Sequence, residues 1–372
     1  MQNQKASSIK LQGLDVCLER IAANASNIDD PLSAPVAEFR WLAECGALKV
    51  VLPGEALDFA HPNTAALLDL LKRIGMSNLS VGRIYEGHIN ALYLIYLYAT
   101  ETQKLIWYNA VIHEQALFGV WNTQAKNGID FKNQGQGLTL YGEKTFCSGV
   151  SIVTHALVTG NIANSDRNGW QMMILDMSKV GADQVDRNSW QTMGMKASGS
   201  FTTDFTGYHV SENELLGLPG DYLKQPYFNG GAIRFAAVQF GGAEAILHHT
   251  LKYLEKMDRT GDLFQKARIA AMLMDITTGK LWLQQAGINF DKWVDDMEYA
   301  DQLIAFANMT RTVIEDIGLR VMQSSNVCVG ARGLMAPSPL ELLNRDLTFY
   351  LRQPAPDATR LAIADYLINL YN

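Results

Sequence analysis

No run of this sequence is apolar for long enough to cross a bilayer, which takes roughly 18 or more residues. Nor does it hold a basic field: 31 lysines and arginines face 38 aspartates and glutamates, for a formal charge of -7, and no basic cluster breaks the pattern. Nucleic acid and anionic lipid are therefore poor partners on charge alone. Cysteine is scarce. Cys17, Cys45, Cys147 and Cys328 lie far apart in sequence, with no CxxC and no histidine pair beside them, so neither a zinc site nor a disulfide framework is expected. They read as reduced, mostly buried thiols. The first eight residues are polar and lack the apolar core of a secretory leader, which makes the cytoplasm the expected address.

What is present suits a globular protein: 372 residues, 48% hydrophobic and 19% charged, enough for two or three domains around a large core. Up to about residue 115 the apolar spacing is helical. Leu42 and Ala43 close one amphipathic stretch, Leu67, Leu68, Leu70 and Leu71 mark a second, and Leu92 to Leu97 a third that is almost wholly apolar. Between about 116 and 220 short β-like runs alternate with turn chemistry, as in Leu138-Thr139-Leu140-Tyr141-Gly142, Ala156-Leu157-Val158-Thr159-Gly160 and Gln171-Met172-Met173-Ile174-Leu175. After Pro219-Gly220 the helical period returns, with Leu303, Phe306, Met309, Val313, Ile317 and Val321 at three- and four-residue spacing. The expected fold class is α+β with segregated layers: helical 1–115, β-rich 116–220 and a helical bundle 221–372. No internal repeat is visible.

Several segments give that order a likeness. Gly142-Glu143-Lys144-Thr145-Phe146-Cys147-Ser148-Gly149, Met193-Gly194-Met195-Lys196-Ala197-Ser198-Gly199, Arg234 followed by Gly241-Gly242-Ala243, Gly330-Ala331-Arg332-Gly333 and Asn344-Arg345-Asp346 together resemble the acyl-CoA dehydrogenase superfamily over nearly the whole chain from about residue 30. That resemblance implies an N-terminal helical domain, a β-barrel-like middle domain and a C-terminal four-helix bundle, assembled as a homodimer or homotetramer. It also implies FAD, with FMN open, and a small-molecule substrate such as acyl-CoA or another acyl thioester. An electron-transfer flavoprotein or a flavin reductase would be the redox partner.

By the same resemblance Phe146 would pack on the flavin ring and Ser148 would hydrogen-bond it, since a flat heterocycle needs an apolar wall and a few placed donors. Trp121 and Asn122 stand where the family places a flavin-contacting turn, although the family's Thr-Glu-Pro wording is absent. Arg259, Phe264 and Gln265, with Gly330, Ala331 and Gly333, would meet the adenosine and diphosphate of FAD bound across a dimer interface.

The family's catalytic base is missing. Superfamily dehydrogenases remove the α-proton of a thioester with a glutamate that follows the Arg-Asp pair by about eight residues; counting from Arg345-Asp346 brings Pro354 there. The alternative base of some relatives, just before the arginine matching Arg234, is Ile233 here. Glu341 and Asp357 sit at neither place, and Asp357 suits a helix N-cap. The flavin monooxygenase branch also lacks the glutamate, and Tyr85-Glu86-Gly87-His88-Ile89-Asn90 resembles its histidine-bearing helix. His88 is thus the candidate donor or acid/base group, with Arg352 and Gln353 as polar supports. Glu86 points about 200° around the helix from His88 and would not share its site. His248 and His249 are adjacent, hence on diverging faces, and no metal is expected. Three readings follow: an FAD-dependent oxidoreductase acting on the CH-CH group of an acyl thioester with a non-standard base, a monooxygenase using reduced flavin and dioxygen, or a flavin-free scaffold that has lost catalysis.

Overall fold

A computed structural model describes residues 11–134, 137–163, 167–352 and 355–371. Five helices come first: α1 (Leu14–Asn24), α2 (Val36–Glu44), α3 (Thr64–Ser77), α4 (Leu79–Tyr98) and α5 (Glu101–Glu114). Their starts obey capping chemistry. The Asn78 side chain accepts from the Val81 N–H ahead of α4, and Thr100 and Gln103 close a reciprocal capping box ahead of α5.

The β layer holds β1 (Phe118–Trp121), β2 (Asp130–Gln134), β3 (Gly137–Tyr141), β4 (Glu143–Cys147), β5 (His155–Ala163), β6 (Asn168–Asp176), β7 (Val185–Asp186), β8 (Phe201–Asp204), β9 (His209–Val210) and β10 (Leu215–Leu216). Seven form one sheet in the order β10-β6-β5-β2-β3-β9, with β1 pairing β5 in parallel; β4, β8 and β7 form a second sheet. The β5–β6 hairpin is the spine, pairing His155 with Asp176 through to Ala163 with Asn168. Its central residues Leu157, Val158, Met172 and Met173 are fully buried.

The remaining helices are α6 (Tyr227–Gly230), α7 (Ile233–Lys256), α8 (Leu263–Trp293), α9 (Ala300–Gly333), α10 (Pro339–Tyr350) and α11 (Pro356–Tyr371). Helix α9 carries the predicted Leu303 to Val321 stripe and is broken near its end by Gly330, at φ +61 and ψ -172. Backbones of α3 and α7 touch. A Cβ on Gly241 would come within 2.1 Å of the Lys72 carbonyl oxygen, and one on Gly75 within 2.4 Å of that of Val238, so only glycine permits the crossing.

The Arg345-Asp346 pair locks all three layers together. Asp346 accepts from the Met195 N–H at 2.6 Å, while the Arg345 guanidinium meets Glu341, Asp29 at 2.6 Å and the Met193 carbonyl at 2.9 Å. Gly194 lies so close beneath that a Cβ there would sit 2.2 Å from the Arg345 oxygen. All four cysteines are free, and the Cys45 thiol donates to the Leu42 carbonyl at 3.3 Å. Among the described residues no helix is long and apolar enough to cross a membrane, and no cluster of metal-ligating side chains occurs.

Candidate functional site

A cleft opens where α4, β1 and the turn after β4 meet. Arg83, Ile84 and Gly87 line it from the helix, Gly119, Val120 and Trp121 from β1, and Ser148 from the turn. It is a shallow depression with no enclosed space for even a water molecule, far below the roughly 300–1,000 Å³ of a complete ligand pocket, so a ligand would rest at its mouth. Gly87 keeps the helix side open, since a Cβ built on it would meet nothing nearer than the Val120 nitrogen at 3.9 Å.

The end of β4 and the turn after it supply an aromatic ring and a donor. Phe146 sits in the left-handed region at φ +57, a conformation that costs a bulky residue on the order of 1 kcal/mol, and its ring is 43% exposed. It stands edge-on to Trp190, which stands edge-on to Phe349, with ring centroids 5.7 and 5.4 Å apart. Ser148 is nearly buried. Its carbonyl accepts from the Trp121 indole at 3.1 Å and its hydroxyl accepts from Ser200 at 2.9 Å, which leaves its own O–H proton to donate outward. An exposed aromatic face beside an unspent hydroxyl proton is the donor set a flat heterocycle such as a flavin ring requires, so these residues fit that group.

Behind the cleft runs a buried polar chain. Arg83, Glu86 and Asn90 fall at i, i+3 and i+7 and so share one face of α4. The Arg83 guanidinium donates to the Glu86 carboxylate, the Asn90 amide donates to the other Glu86 oxygen, and Arg234 Nε donates to Asn90 Oδ1 at 2.6 Å. Arg234 also lies over the rings of Tyr93 and Phe290, at 4.7 and 5.8 Å from their centroids. Burial lowers its pKa, and the neighbouring Tyr93 and Glu86 partly oppose that shift. Tyr350 is buried beside the same pair with no partner for its hydroxyl; burial, then the Glu86 charge, pushes its pKa up.

The residues expected from the sequence divide between this cleft and other places. Trp121 and Ser148 line it, while Phe146, two residues before Ser148, stands outside that lining against Trp190. Asn122 turns back into the β layer, where its side chain accepts from Thr159 at 2.7 Å and Trp170 at 3.0 Å and its carbonyl accepts from the buried Lys144 ammonium at 2.9 Å. His88 faces away. Its Nε2 donates to the Leu48 carbonyl at 2.7 Å and its Nδ1 accepts from the Phe118 N–H at 3.0 Å, so both ring nitrogens are spent on backbone. Burial lowers its pKa to about 4, and it stays neutral as a brace between the helical layer and β1.

Arg352 pairs with Glu315 on α9, and Gln353 lies outside the described residues. Arg259, Phe264, Gln265, Gly330, Ala331 and Gly333 gather at the opposite end of α7, whose 24 residues span about 36 Å at 1.5 Å each. There Phe264 is exposed, and Gln265 is buried with its Oε1 unpartnered. Arg83 and Tyr350 are the functional candidates that sequence reasoning passed over. The Arg-x-x-Glu-x-x-x-Asn spacing was the available signal, on the face that Glu86 shares with the cleft and His88 does not.

No family profile matches the chain. It is 22% identical over 377 residues to the "Probable acyl-CoA dehydrogenase YngJ" of Bacillus subtilis, covering 95% of each chain. It is 22% identical over 213 residues to a dibenzothiophene monooxygenase of Rhodococcus erythropolis, covering 55% of this chain and 50% of that one. Among solved structures, the dibenzothiophene monooxygenase TdsC of Paenibacillus sp. A11-2 with FMN and indole superposes with a TM-score of 0.85 at 16% identity, over 97% of this chain and 98% of that one. The helix, strand and helix order and the near full-length likenesses to YngJ and TdsC place the chain in the acyl-CoA dehydrogenase superfamily, and the partial match to the Rhodococcus enzyme adds a likeness to its flavin monooxygenase branch.

Proposed function

We propose that the protein is a flavin-dependent monooxygenase, using reduced flavin and dioxygen to oxygenate a small molecule. The observation that carries this reading is the side chain in front of Arg234: Ile233, apolar and 1% exposed, stands where some superfamily dehydrogenases hold their base. The residue at the other base position is Pro354 by sequence, and the charged side chain lining the cleft is a cation, Arg83. An oxygenation of this kind needs no carboxylate to remove an α-proton. Bound reduced flavin would supply two electrons, one oxygen atom passing to the substrate and the other leaving as water.

Phe146 would form the wall against the flavin ring and Ser148 would donate to its edge. Ile84, Val120 and Trp121 keep water from that side of the cleft, while Arg83, held by Glu86, presents charge to what enters. The separation of this cleft from the Arg259 cluster, which follows the far end of α7, leads us to place any adenosine half of the cofactor against a second copy of the chain. Exposed apolar side chains such as Leu263, Phe264, Leu273, Met274 and Leu281 along α8 suit such an assembly. FMN is the cofactor this reading favours, delivered reduced by a flavin reductase.

A second reading rests on Glu86. It is a buried carboxylate in one hydrogen-bonded chain with Arg234, so a dehydrogenase of acyl thioesters could take its base there. Two measurements separate the readings. Oxygen uptake that depends on a flavin reductase and a nicotinamide donor supports the monooxygenase, whereas bleaching of bound flavin on anaerobic mixing with acyl-CoAs supports the dehydrogenase and overturns the first reading.

A further inference from the structure

Three buried hydroxyls stand in file behind the cleft. Ser148 Oγ lies 2.9 Å from Ser200 Oγ, which lies 2.8 Å from Ser198 Oγ, which in turn lies 2.7 Å from the Met195 carbonyl oxygen. Ser148, Ser198 and Ser200 are 9%, 2% and 4% exposed. Each hydroxyl has a single proton to give, so the file has two consistent arrangements. Either every proton points towards the cleft and Ser148 donates outward, or every proton points back and Ser198 donates to Met195. Turning between them leaves no buried carbonyl stranded, because Met195 O also accepts from the Trp190 indole at 3.2 Å and the Ser198 N–H at 3.1 Å.

The two ends of the file reach different places. Ser148 lines the cleft, which has no enclosed space for a water molecule. Ser198 borders a separate niche with Pro31, Ala34, Gly149, Ser151 and Gly199, whose volume of about 10 Å³ is at the lower limit for one water. Ser151 is exposed, which opens that niche to solvent.

We propose that Ser198, Ser200 and Ser148 form a proton relay between the niche and the mouth of the cleft. The proposal rests on the functional reading above in assigning the proton's use. Reduced flavin supplied as its anion, dioxygen and substrate balance against oxidised flavin, water and oxygenated product only when a proton is drawn from solvent, and a ligand resting at the mouth shuts the direct way in. In the relay a water entering the niche gives a proton to Ser198 Oγ while Ser198 passes its own to Ser200, Ser200 passes its own to Ser148, and the Ser148 proton leaves at the mouth. Every hydroxyl gains one proton and gives one, so none changes charge. The niche water recovers its proton from bulk solvent, and rotation of the three hydroxyls resets the file.

The test follows hydroxyl hydrogen exchange in the full chain by NMR, with serine isotopically labelled at Cβ, first without flavin. Ser198→Ala should slow exchange of the Ser200 hydroxyl by about fivefold or more, and so should Ala34→Leu, which narrows the niche and leaves all three hydroxyls in place. A merely structural role predicts the reverse, since losing a buried hydrogen bond loosens the fold and speeds exchange. The second step loads the anaerobic protein with nitrogen-labelled reduced FMN and reads solvent exchange of the flavin's ring N–H protons. Ser198→Ala and Ser200→Ala should each slow it by about fivefold or more.

Ser200 exchange that is unchanged or faster in a folded variant of either kind, Ser198→Ala or Ala34→Leu, overturns the proposal. So does flavin proton exchange that is indifferent to Ser198 and Ser200. Slowed Ser200 exchange in variants of a protein that takes up no flavin would uphold the relay and defeat the flavin reading alone.

Discussion

At the scale of single residues, burial decides which groups are free for chemistry. His88 spends both nitrogens on the Leu48 carbonyl and the Phe118 N–H, so truncation to alanine leaves two buried backbone groups unsatisfied and should cost about 2–5 kcal/mol by chemical denaturation. Its folded pKa, about 4 against an ordinary 6.5, means the unfolded chain binds a proton that the folded one does not. Its contribution to stability therefore rises with pH between about 4 and 6.5 and is lost on acidification through that window. Asp346 carries the opposite sign. Burial raises its pKa to about 7, opposed by the hydrogen bond from Met195, so the folded chain holds the extra proton between 3.8 and about 7 and stability falls as pH rises there. Asp346→Asn keeps an acceptor for the Met195 N–H and should flatten that fall. Subtracting each variant's pH profile from the wild type's separates the two slopes, which oppose each other in the parent protein. A Asp346→Asn profile parallel to the wild type's would show that this carboxyl does not titrate in the window.

At the scale of elements, much of the fold could be read from spacing. The leucines at 67, 68, 70 and 71 lie on the buried side of α3, the Leu303 to Val321 stripe lies along α9, and the alternating runs became β3, β5 and β6. Gly241 permits the close crossing with α3, and Gly242 lets Leu79 of α4 pack against the same helix. What spacing could not show is which face of α4 opens to the cleft. The first half of that helix is buried on nearly every side, so its apolar pattern has little contrast, and the sequence reading chose the face of His88 over that of Glu86. The Arg345-Asp346 segment was legible as a motif but not as a joint, because its partners, Asp29 and the 193–195 turn, are remote in sequence. Gly194→Ala tests the joint. Its Cβ would meet the Arg345 oxygen at 2.2 Å, and the variant should lose about 1–3 kcal/mol of stability, whereas an unchanged denaturation midpoint would show that the turn can move aside.

For the whole molecule, two distant groups of residues must be explained together. One is the cleft of Arg83, Trp121 and Ser148; the other is the Arg259, Gln265 and Gly330 cluster at the far end of α7. Sequence resemblance named most of both. It could not tell that one chain holds them in separate places, since that depends on α7 running unbroken for its 24 residues towards the second group. If a second copy closes the site, Phe264→Asp, which puts charge on an exposed apolar side chain of α8, should lower the assembly mass in solution and weaken FAD more than FMN. Retention of the parent mass and of both affinities would speak against that assembly.

The claim on which the rest depends is that the cleft beside Phe146 and Ser148 holds a flavin ring. Anaerobic titration of the purified protein with oxidised and reduced FMN and FAD, followed by absorbance and fluorescence, tests it most directly. The account predicts saturable binding, tighter for reduced FMN, that Ser148→Ala weakens by about threefold to tenfold through loss of one hydrogen bond. A folded protein that takes up none of the four flavin forms would contradict it.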